Sequence, residues 1–433
     1  MRLREVDALR ALALLGILSV NVWYFAHPES LVTGMRSGAA ETSADQLVRF
    51  ATTLIFEGKS YVVFSFLFGL AFVLSWGSAG LSGGAGRRPP VGWPGAGGDG
   101  EQERRTARRL TALIILGVLH GILLFAGDIL LAYGLFGFVL LGLRRIRTLW
   151  ALIIAAGLFL LWCGVTTGIG LLTTALEGTP MWDQSMVPSA DADAERAAYT
   201  AGIGSYLSFQ LGAYGTVAVS ILLGQGPMAL AAFLIGLVVG RSRLLERILR
   251  GEVTSAKLTA WMLPALALGL TLSATAAVLL WGPPGSTASR AAASEPALGA
   301  ELTATGLVLL AGPIQAAGYI MGLMLLLRSR AGRPITAALA PAGQMSLTNY
   351  LTQSLVLALL FSGLGLGLAG QLAPTVVAAV VVVVWAGQLL ISRLWLSRFR
   401  RGPVEIPLRA WTYRTSMRAA AAGAAADDAG QRR

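Results

Sequence analysis

Apolar segments long enough to cross a membrane recur along the chain, and the positive charges between them are sorted to one side. Of the 34 Lys and Arg residues, 29 fall in connections that alternating crossings place on one face, and five fall on the other. Short, positively charged loops stay in the cytoplasm, so this asymmetry predicts cytoplasmic termini and an even number of crossings. The predicted fold is an all-α, polytopic membrane helix bundle of about ten transmembrane helices.

Ten apolar runs carry this prediction, and most approach the roughly 20 residues that about 30 Å of hydrocarbon requires. The third and fourth runs are shorter and are joined by little more than Gly127 and Asp128, which predicts a tight hairpin whose turn faces outside. The runs cover residues 8–26, 61–76, 110–125, 129–143, 149–171, 217–239, 258–281, 302–327, 347–368 and 375–394.

The composition excludes several classes of protein. The chain is 55% hydrophobic and 13% charged, whereas soluble domains are about 25% charged. Its net charge of +12 lies beside apolar segments, where cations orient helices and attract anionic lipids, so the expected partner is the lipid bilayer and not nucleic acid. The single cysteine, Cys163, allows no intrachain disulfide, and no metal site is predicted.

We predict one transmembrane helical domain over residues 1–402 and a cytoplasmic tail over residues 403–433, whose Ala-rich end is disordered. Residues 77–109 are predicted to form a flexible, basic cytoplasmic linker, because their beginning is rich in Gly and Pro and poor in apolar side chains. Residues 176–208 are predicted to form an acidic outside loop.

Ionisable groups at membrane depth are costly, so each is a candidate functional group until a structural partner explains it. His120 lies inside the third run, and Asp128 follows eight residues later at the predicted turn. An imidazole exchanges protons near neutral pH, as a general base must. The alternatives remain open: His120 as a structural histidine bonded across helices, and Asp128 as an N-cap for the next helix.

Polar residues also line the first helix. Asp7, Arg10 and Asn21 share one inward stripe at helical spacing. Packing explains them equally well, as an Asp7–Arg10 pair one turn apart and an Asn21 amide bonded to a neighbouring helix.

A second polar cluster opens the ninth helix, at Ser346, Asn349, Tyr350 and Gln353. These side chains could bind a sugar-like or amine-bearing substrate through several hydrogen bonds. Hydrogen bonds that hold neighbouring helices together are the alternative.

Five strings, in order along the chain, resemble the YeiB-like family of uncharacterised bacterial membrane proteins, which carry domain of unknown function 418. The family resemblance covers most of the chain and implies a multi-pass protein of the plasma membrane. The strings are VDALRALALLGILSVN (6–21), FEGKSYVVFSFLFG (56–69), LHGILLFAGDILLAY (119–133), GQMSLTNYLTQS (343–354) and FRRGPVEIPLRAWTY (399–413).

That family looks distantly related to transmembrane acyltransferases, which carry acyl groups from cytoplasmic acyl-CoA to acceptors at the outer face. The resemblance implies acyl-CoA as a donor substrate, no firmly bound cofactor, and a small-molecule or glycan acceptor. It implies His120 as the base that deprotonates an acceptor hydroxyl or amine, with Asp128 orienting it and His27 as the fallback. The chain has Asn21 where some of these acyltransferases place a histidine.

The same resemblance suggests roles for other polar residues. Asn21, Asn349 or Gln353 would stabilise the developing oxyanion, a task that side-chain amides perform in dry sites. Glu57 and Lys59 would contact the acceptor, or pair with each other.

On the cytoplasmic side, Arg10, Arg400 and Arg401 would hold donor phosphates, because guanidinium groups suit bidentate phosphate contacts. Sorting of positive charge to the inside already explains most of these cations, so both interpretations stay open.

A small-molecule transporter or exporter is the alternative function, with His120 as a proton relay. Gly226–Pro227 and Gly312–Pro313 are predicted to interrupt two helices, as occurs in transporters. Both interrupted helices run in the same direction, however, and the sequence has no clear inverted repeat. A noncatalytic membrane scaffold is a third possibility.

Overall fold

Long apolar helices make up nearly all of the regular structure in the computed structural model. It describes residues 4–33, 36, 42–76, 99–177, 179–181, 191–286 and 297–413, and within them every regular element is helical. The helices are α1 (Arg4–Ala26), α2 (Glu29–Thr33), α3 (Ser43–Ile55), α4 (Lys59–Trp76), α5 (Asp99–Leu123), α6 (Leu130–Gly142), α7 (Thr148–Leu176), α8 (Ala192–Thr200), α9 (Ile203–Arg241), α10 (Leu244–Leu249), α11 (Ser255–Trp281), α12 (Leu298–Leu327), α13 (Gly332–Gln344), α14 (Ser346–Phe361) and α15 (Pro374–Arg398).

The predicted all-α helix bundle is confirmed. Among the described residues, eight helical segments are long and apolar enough to cross a membrane, and α6 and α14 are shorter apolar helices. Together they match the ten predicted runs in order. The number of crossings and the cytoplasmic position of both termini stay predictions.

Only one of the two crossings that the sequence indicated as short is short in the structure. We expected the third and fourth crossings to be short, but α5 has 25 residues and only α6, with 13, is short. α14 has 16 residues. The predicted linker at 77–109 is therefore wrong over 99–109, which form the first turns of α5; residues 77–98 lie outside the described part.

Prolines do not interrupt the two helices where breaks were predicted. Pro227 lies within the continuous 39-residue α9, and Pro313 lies within the continuous 30-residue α12. Neighbouring protein supports the backbone at both points, since a Cβ on Gly226 would lie 2.1 Å from the Phe136 ring and one on Gly312 2.8 Å from the Gly58 carbonyl oxygen. The expected helix breaks are thus wrong.

Two other predicted segments are more ordered than expected. The outside loop at 176–208 contains α8 and the start of α9, although residues 182–190 lie outside the described part. The predicted tail begins with a helical stretch at 405–413, and residues 414–433 are not described.

Small residues bring the central helices close together. A Cβ on Gly69 of α4 would lie 2.1 Å from the Phe233 carbonyl oxygen of α9, and one on Gly236 would lie 2.2 Å from the Phe66 carbonyl oxygen. Close backbone approach of this kind is how helices associate in lipid, where burial of apolar surface gives little driving force. The α4–α9 pair therefore lies at the centre of the bundle.

The outer surface of the bundle is apolar. Large side chains on α7 and α15 are exposed, with Leu160 and Leu161 at 63% and Val383 at 70%. An apolar surface of this extent is incompatible with water but suits lipid acyl chains. The helices that carry it form the rim, and α1, α4 and α9 form the interior.

Candidate functional site

The end of α5 turns back into the protein instead of reaching solvent. After His120, the amides of Leu124 and Phe125 both donate to the His120 carbonyl, each at 2.9 Å. α9 covers this turn, since the Tyr206 hydroxyl donates to the Leu124 carbonyl at 2.9 Å and the Gln210 side-chain oxygen accepts from the Ala126 amide at 2.9 Å. Phe125, Ala126 and Asp128 of this turn are buried, and the side of the membrane on which the turn lies stays a prediction.

This fold-back brings His120 and Asp128 together. His120 Nδ1 lies 2.8 Å from Asp128 Oδ1, and the side chains of the two residues are almost fully buried. The other carboxylate oxygen, Oδ2, accepts from the Leu131 amide at 3.0 Å. Asp128, the residue before the N-cap Ile129, therefore orients the imidazole with one oxygen and holds the first turn of α6 with the other.

Tyr350 completes the support of this carboxylate. Its hydroxyl donates to Asp128 Oδ1 at 3.2 Å, and its ring centroid lies 5.1 Å from that of His120. The Phe125 ring lies on another side of the imidazole, with centroids 6.4 Å apart. Tyr350 was predicted to bind substrate, but the structure places its hydroxyl on Asp128.

The free side of the imidazole is its Nε2 atom, which is buried without a hydrogen-bond partner among the described residues. A carboxylate only accepts hydrogen bonds, so Asp128 selects the tautomer with the proton on Nδ1 and leaves a lone pair on Nε2. Buried polar atoms are almost always paired. An unpaired and oriented imidazole nitrogen in a dry site is the arrangement that a general base requires.

A second unpaired polar atom belongs to α9. The Tyr214 hydroxyl is buried without a partner among the described residues. The charge of Asp128 lies close enough to act on this hydroxyl. Gly121 admits the Tyr214 ring, since a Cβ there would lie 2.2 Å from it. Sequence reasoning missed Tyr214; the glycine one residue after His120 was the available signal, because it leaves room for a ring.

The other polar side chains of α14 hold helices together. Asn349 Nδ2 donates to the Ala342 carbonyl at 2.9 Å and to Ser392 Oγ at 3.0 Å. Gln353 Nε2 donates to Gln388 Oε1 at 2.9 Å. These bonds favour the packing interpretation for both amides.

Two of the predicted substrate-binding residues are without such bonds. Ser346, the first residue of α14, is half-buried, and so is Asn21 of α1. The side chains of Ser346 and Asn21 have no hydrogen-bond partner among the described residues.

Glu57 and Lys59 belong to a charged cluster at the predicted outer end of the bundle, together with Arg36, Thr53 and Glu301. Arg36 bridges Glu57 and Glu301. Glu57 Oε2 also accepts from Thr53 Oγ1 at 2.9 Å, and the fully buried Lys59 donates to the Thr53 carbonyl at 2.8 Å. Among the described residues no direct ion pair joins Glu57 and Lys59, since each is held by other partners, although their charges lie close enough to interact.

Arg36 is the centre of that cluster. Burial acts against its charge, but the carboxylates of Glu301 and Glu57 outweigh this and raise the pKa of the guanidinium above its ordinary value. Arg36 and Glu301 were not predicted, because their charges fall in different, distant segments that only the fold brings together.

The arginines that were predicted to bind the donor lie outside α5, the helix that carries His120. Arg10 forms an ion pair with Asp7 at 2.7 Å, as the packing alternative stated. Arg400 and Arg401 are exposed after α15, and their backbone carbonyls accept from Gln344 Nε2 and Trp395 Nε1. The fallback histidine, His27, lies 3.4 Å from Glu29 and not at this site.

Comparison with known proteins identifies the relatives of the chain. Residues 239–415 match the family described as "Protein of unknown function (DUF418)". The chain is 27% identical to the uncharacterized protein YxaH of Bacillus subtilis (strain 168), over 95% of this chain and 94% of that protein. It is 29% identical to the uncharacterized protein YeiB of Escherichia coli (strain K12), over 95% and 96%. The predicted resemblance to the YeiB-like family is thus confirmed.

Proposed function

We propose that this membrane protein transfers an acyl group from cytoplasmic acyl-CoA to a hydroxyl or amine of an acceptor at the outer face of the plasma membrane. The observation that carries the proposal is the buried His120–Asp128 pair, with Nδ1 and Oδ1 at 2.8 Å and Nε2 without a partner among the described residues. A base oriented by a carboxylate and open on its other nitrogen is the unit that activates nucleophiles in acyl transfer.

The reaction moves one proton from the acceptor to His120 and then from His120 to the leaving group. His120 Nε2 accepts the proton of the acceptor hydroxyl or amine as its oxygen or nitrogen attacks the thioester carbonyl carbon. Collapse of the tetrahedral intermediate breaks the carbon–sulfur bond, and the imidazolium returns the proton to the departing thiolate. Asp128 stabilises the transient imidazolium without taking its proton.

The oxyanion of the intermediate requires a hydrogen-bond donor. The Tyr214 hydroxyl supports this role better than the amides of Asn349 and Gln353, because it is buried and unpaired among the described residues while both amides are bonded to other helices. The Asn21 amide is a second candidate donor. A donor fixed in a dry site stabilises such a charge without reorganisation.

The acceptor is expected to approach from the outer end of the bundle. His120 lies in the last turn of α5, three residues before its end at Leu123, and the charge sorting places that end outside. The Arg36, Glu57 and Glu301 cluster lies at the same predicted end, where its charged groups would attract a polar acceptor such as a glycan.

The test is transfer of label from [1-¹⁴C]acetyl-CoA in inside-out membrane vesicles, whose own glycans and lipids supply the acceptors. Labelled product is expected with the wild-type protein and is expected to disappear with His120→Ala. The matched control is His27→Gln, which changes the other histidine and should retain activity. Equal labelling by His120→Ala and wild type would remove the proposal.

A proton-coupled transporter would use the same buried pair as a relay. The two functions differ in stoichiometry, because acyl transfer releases one free thiol of coenzyme A for each acceptor modified. Proton uptake into proteoliposomes, without thiol release in the presence of acceptor extract, would favour transport.

A further inference from the structure

Arg109 and His120 lie on one face of α5. They are eleven residues apart in a continuous helix, which corresponds to three turns with an offset of only about 20° and a rise of about 16 Å. Both side chains tilt toward the start of the helix, so their offsets along the axis largely cancel. α5 therefore carries a cation at its predicted cytoplasmic end, directly below the candidate base.

The surroundings of Arg109 are rich in positive charge. Among the described residues no carboxylate pairs with its guanidinium, which lies 5.6 Å from the centroid of the Phe68 ring. Arg10 and the Tyr413 hydroxyl lie close enough to interact electrostatically with Arg109.

Two more cations reach the same tyrosine, since Arg105 and Arg409 lie 5.0 and 4.3 Å from the centroid of the Tyr413 ring. Arg10 and Arg105 are each paired with a carboxylate, Asp7 and Glu101, whereas Arg109 has no such partner among the described residues. Its half-buried guanidinium is therefore a charge that an anion would stabilise.

We propose that Arg109 binds the phosphate of a phosphopantetheine thioester, whose arm runs along α5 and delivers the acyl carbon to His120. This rests on the proposed acyl-transfer function. The chemistry recognised is a phosphate monoester or diester joined to a long, uncharged arm that ends in a thioester.

The distance along α5 selects among phosphate-bearing donors. An extended chain advances about 3.5 Å for three bonds, so the roughly 14 bonds from phosphorus to the thioester carbon of phosphopantetheine span about 16 Å. In a glycerophospholipid about five or six bonds separate phosphorus from an ester carbon, which gives only about 6–7 Å. A phospholipid held at Arg109 would leave its ester far from His120, whereas a pantetheine thioester would reach.

The experiment measures binding of S-acetyl 4′-phosphopantetheine and of S-acetyl pantetheine to the full-length protein in nanodiscs. The His120→Ala background is used so that no acyl transfer occurs. The phosphate should strengthen binding at least tenfold. Arg109→Gln should abolish that advantage and leave binding of S-acetyl pantetheine unchanged.

The matched control is Arg104→Gln, which removes an exposed cation from another face of α5 and should keep the tenfold preference. A phosphate preference that survives Arg109→Gln would overturn the proposal. A second measurement keeps Arg109 in place and varies the ligand instead. S-acetyl phosphocysteamine, with its short arm, should bind at least tenfold more weakly than S-acetyl 4′-phosphopantetheine, and equal affinity would refute the distance argument.

An anionic lipid is the competing source of phosphate. If nanodiscs of phosphatidylglycerol raise the melting temperature of the wild type but not of Arg109→Gln, and the thioester phosphate adds nothing to binding, the site is a lipid site and the proposal fails. If the phosphate strengthens binding but no acyl transfer occurs, the proposed function is wrong while the phosphate contact with Arg109 is supported.

Discussion

Gly117 of α5 lies directly against Asp128. A Cβ at residue 117 would lie 2.7 Å from Asp128 Oδ2 and 2.3 Å from the Leu131 amide nitrogen. The absence of a side chain lets the first turn of α6 approach α5 closely enough for the carboxylate to reach His120, one turn further along. The position of the base thus depends on a residue that carries no functional group.

Gly117→Ala should lower acyl transfer by about a hundredfold, because a displacement of the order of 1 Å at a reacting group costs that much. The added methyl group must push away backbone atoms of α6, and these cannot move without moving Asp128. The measurement is kcat/KM for acetyl transfer. Gly142→Ala is the control, since a Cβ at the end of α6 meets nothing within 4 Å; equal activity of the two variants would contradict the argument.

Asp128→Asn should lower kcat by about 10²- to 10⁴-fold, the range expected when general-base catalysis is lost. The amide is nearly the same shape and can still accept from the Leu131 amide, but it no longer favours the proton on Nδ1 of His120. Tyr350→Phe removes a single hydrogen bond at 3.2 Å and should cost no more than about tenfold. A larger loss in Tyr350→Phe than in Asp128→Asn would assign the essential role to the phenol.

Glu405→Ala should lower the free energy of unfolding by about 1–2 kcal/mol. Glu405 Oε1 accepts from the amides of Leu347 and Thr348, at 3.0 and 3.1 Å, so the segment after α15 caps the beginning of α14. The measurement is thermal unfolding in detergent. Glu246→Ala, which removes a surface partner of Arg250 at 3.6 Å, should change stability by less than about 1 kcal/mol, and equal effects would argue against the cap.

This cap joins two segments that are far apart in the sequence. Glu405 follows α15, and its carboxylate lies on the first turn of α14. Spacing along one chain identifies a capping residue type, but it does not say which distant helix end receives it. The apolar runs, in contrast, were predicted well, because lipid exposure imposes a local requirement on every residue of a helix.

At the candidate site, too, the sequence identifies residue types but not their tertiary contacts. His120 and Asp128 could be chosen as intramembrane ionisable groups, and eight residues of separation allowed their contact without requiring it. The contact depends on the buried turn that Gln210 and Tyr206 hold from α9. Arg36 could not be predicted, because a single arginine has no distinguishing pattern until the tertiary fold gives it neighbours. For Tyr214, Gly121 indicated room for a ring but not which ring fills it.

Glu301→Gln should destabilise the protein by roughly 1–3 kcal/mol, because Arg36 loses one of its two carboxylate partners in a buried cluster. The remaining ion pair with Glu57 and the partial exposure of Arg36 reduce the cost. The Glu301 side chain is 5% exposed and that of Arg36 is 18% exposed. Thermal unfolding measures the change, which should depend little on added salt. Asp193→Asn, at a side chain that is 91% exposed, is the control and should have almost no effect.

His27 should make stability depend on pH. Burial lowers the pKa of its imidazole below the ordinary value of 6.5, although a hydrogen bond to Glu29 opposes the shift. The folded protein therefore resists protonation more than the unfolded chain does, so the stabilisation is complete above pH 6.5 and is lost as the pH falls from there through the lower folded pKa. His27→Gln should flatten melting temperature against pH in this window. Ser286→Ala, at a half-buried residue without a titrating group, should leave the slope intact. An unchanged slope in His27→Gln would show that other groups produce it.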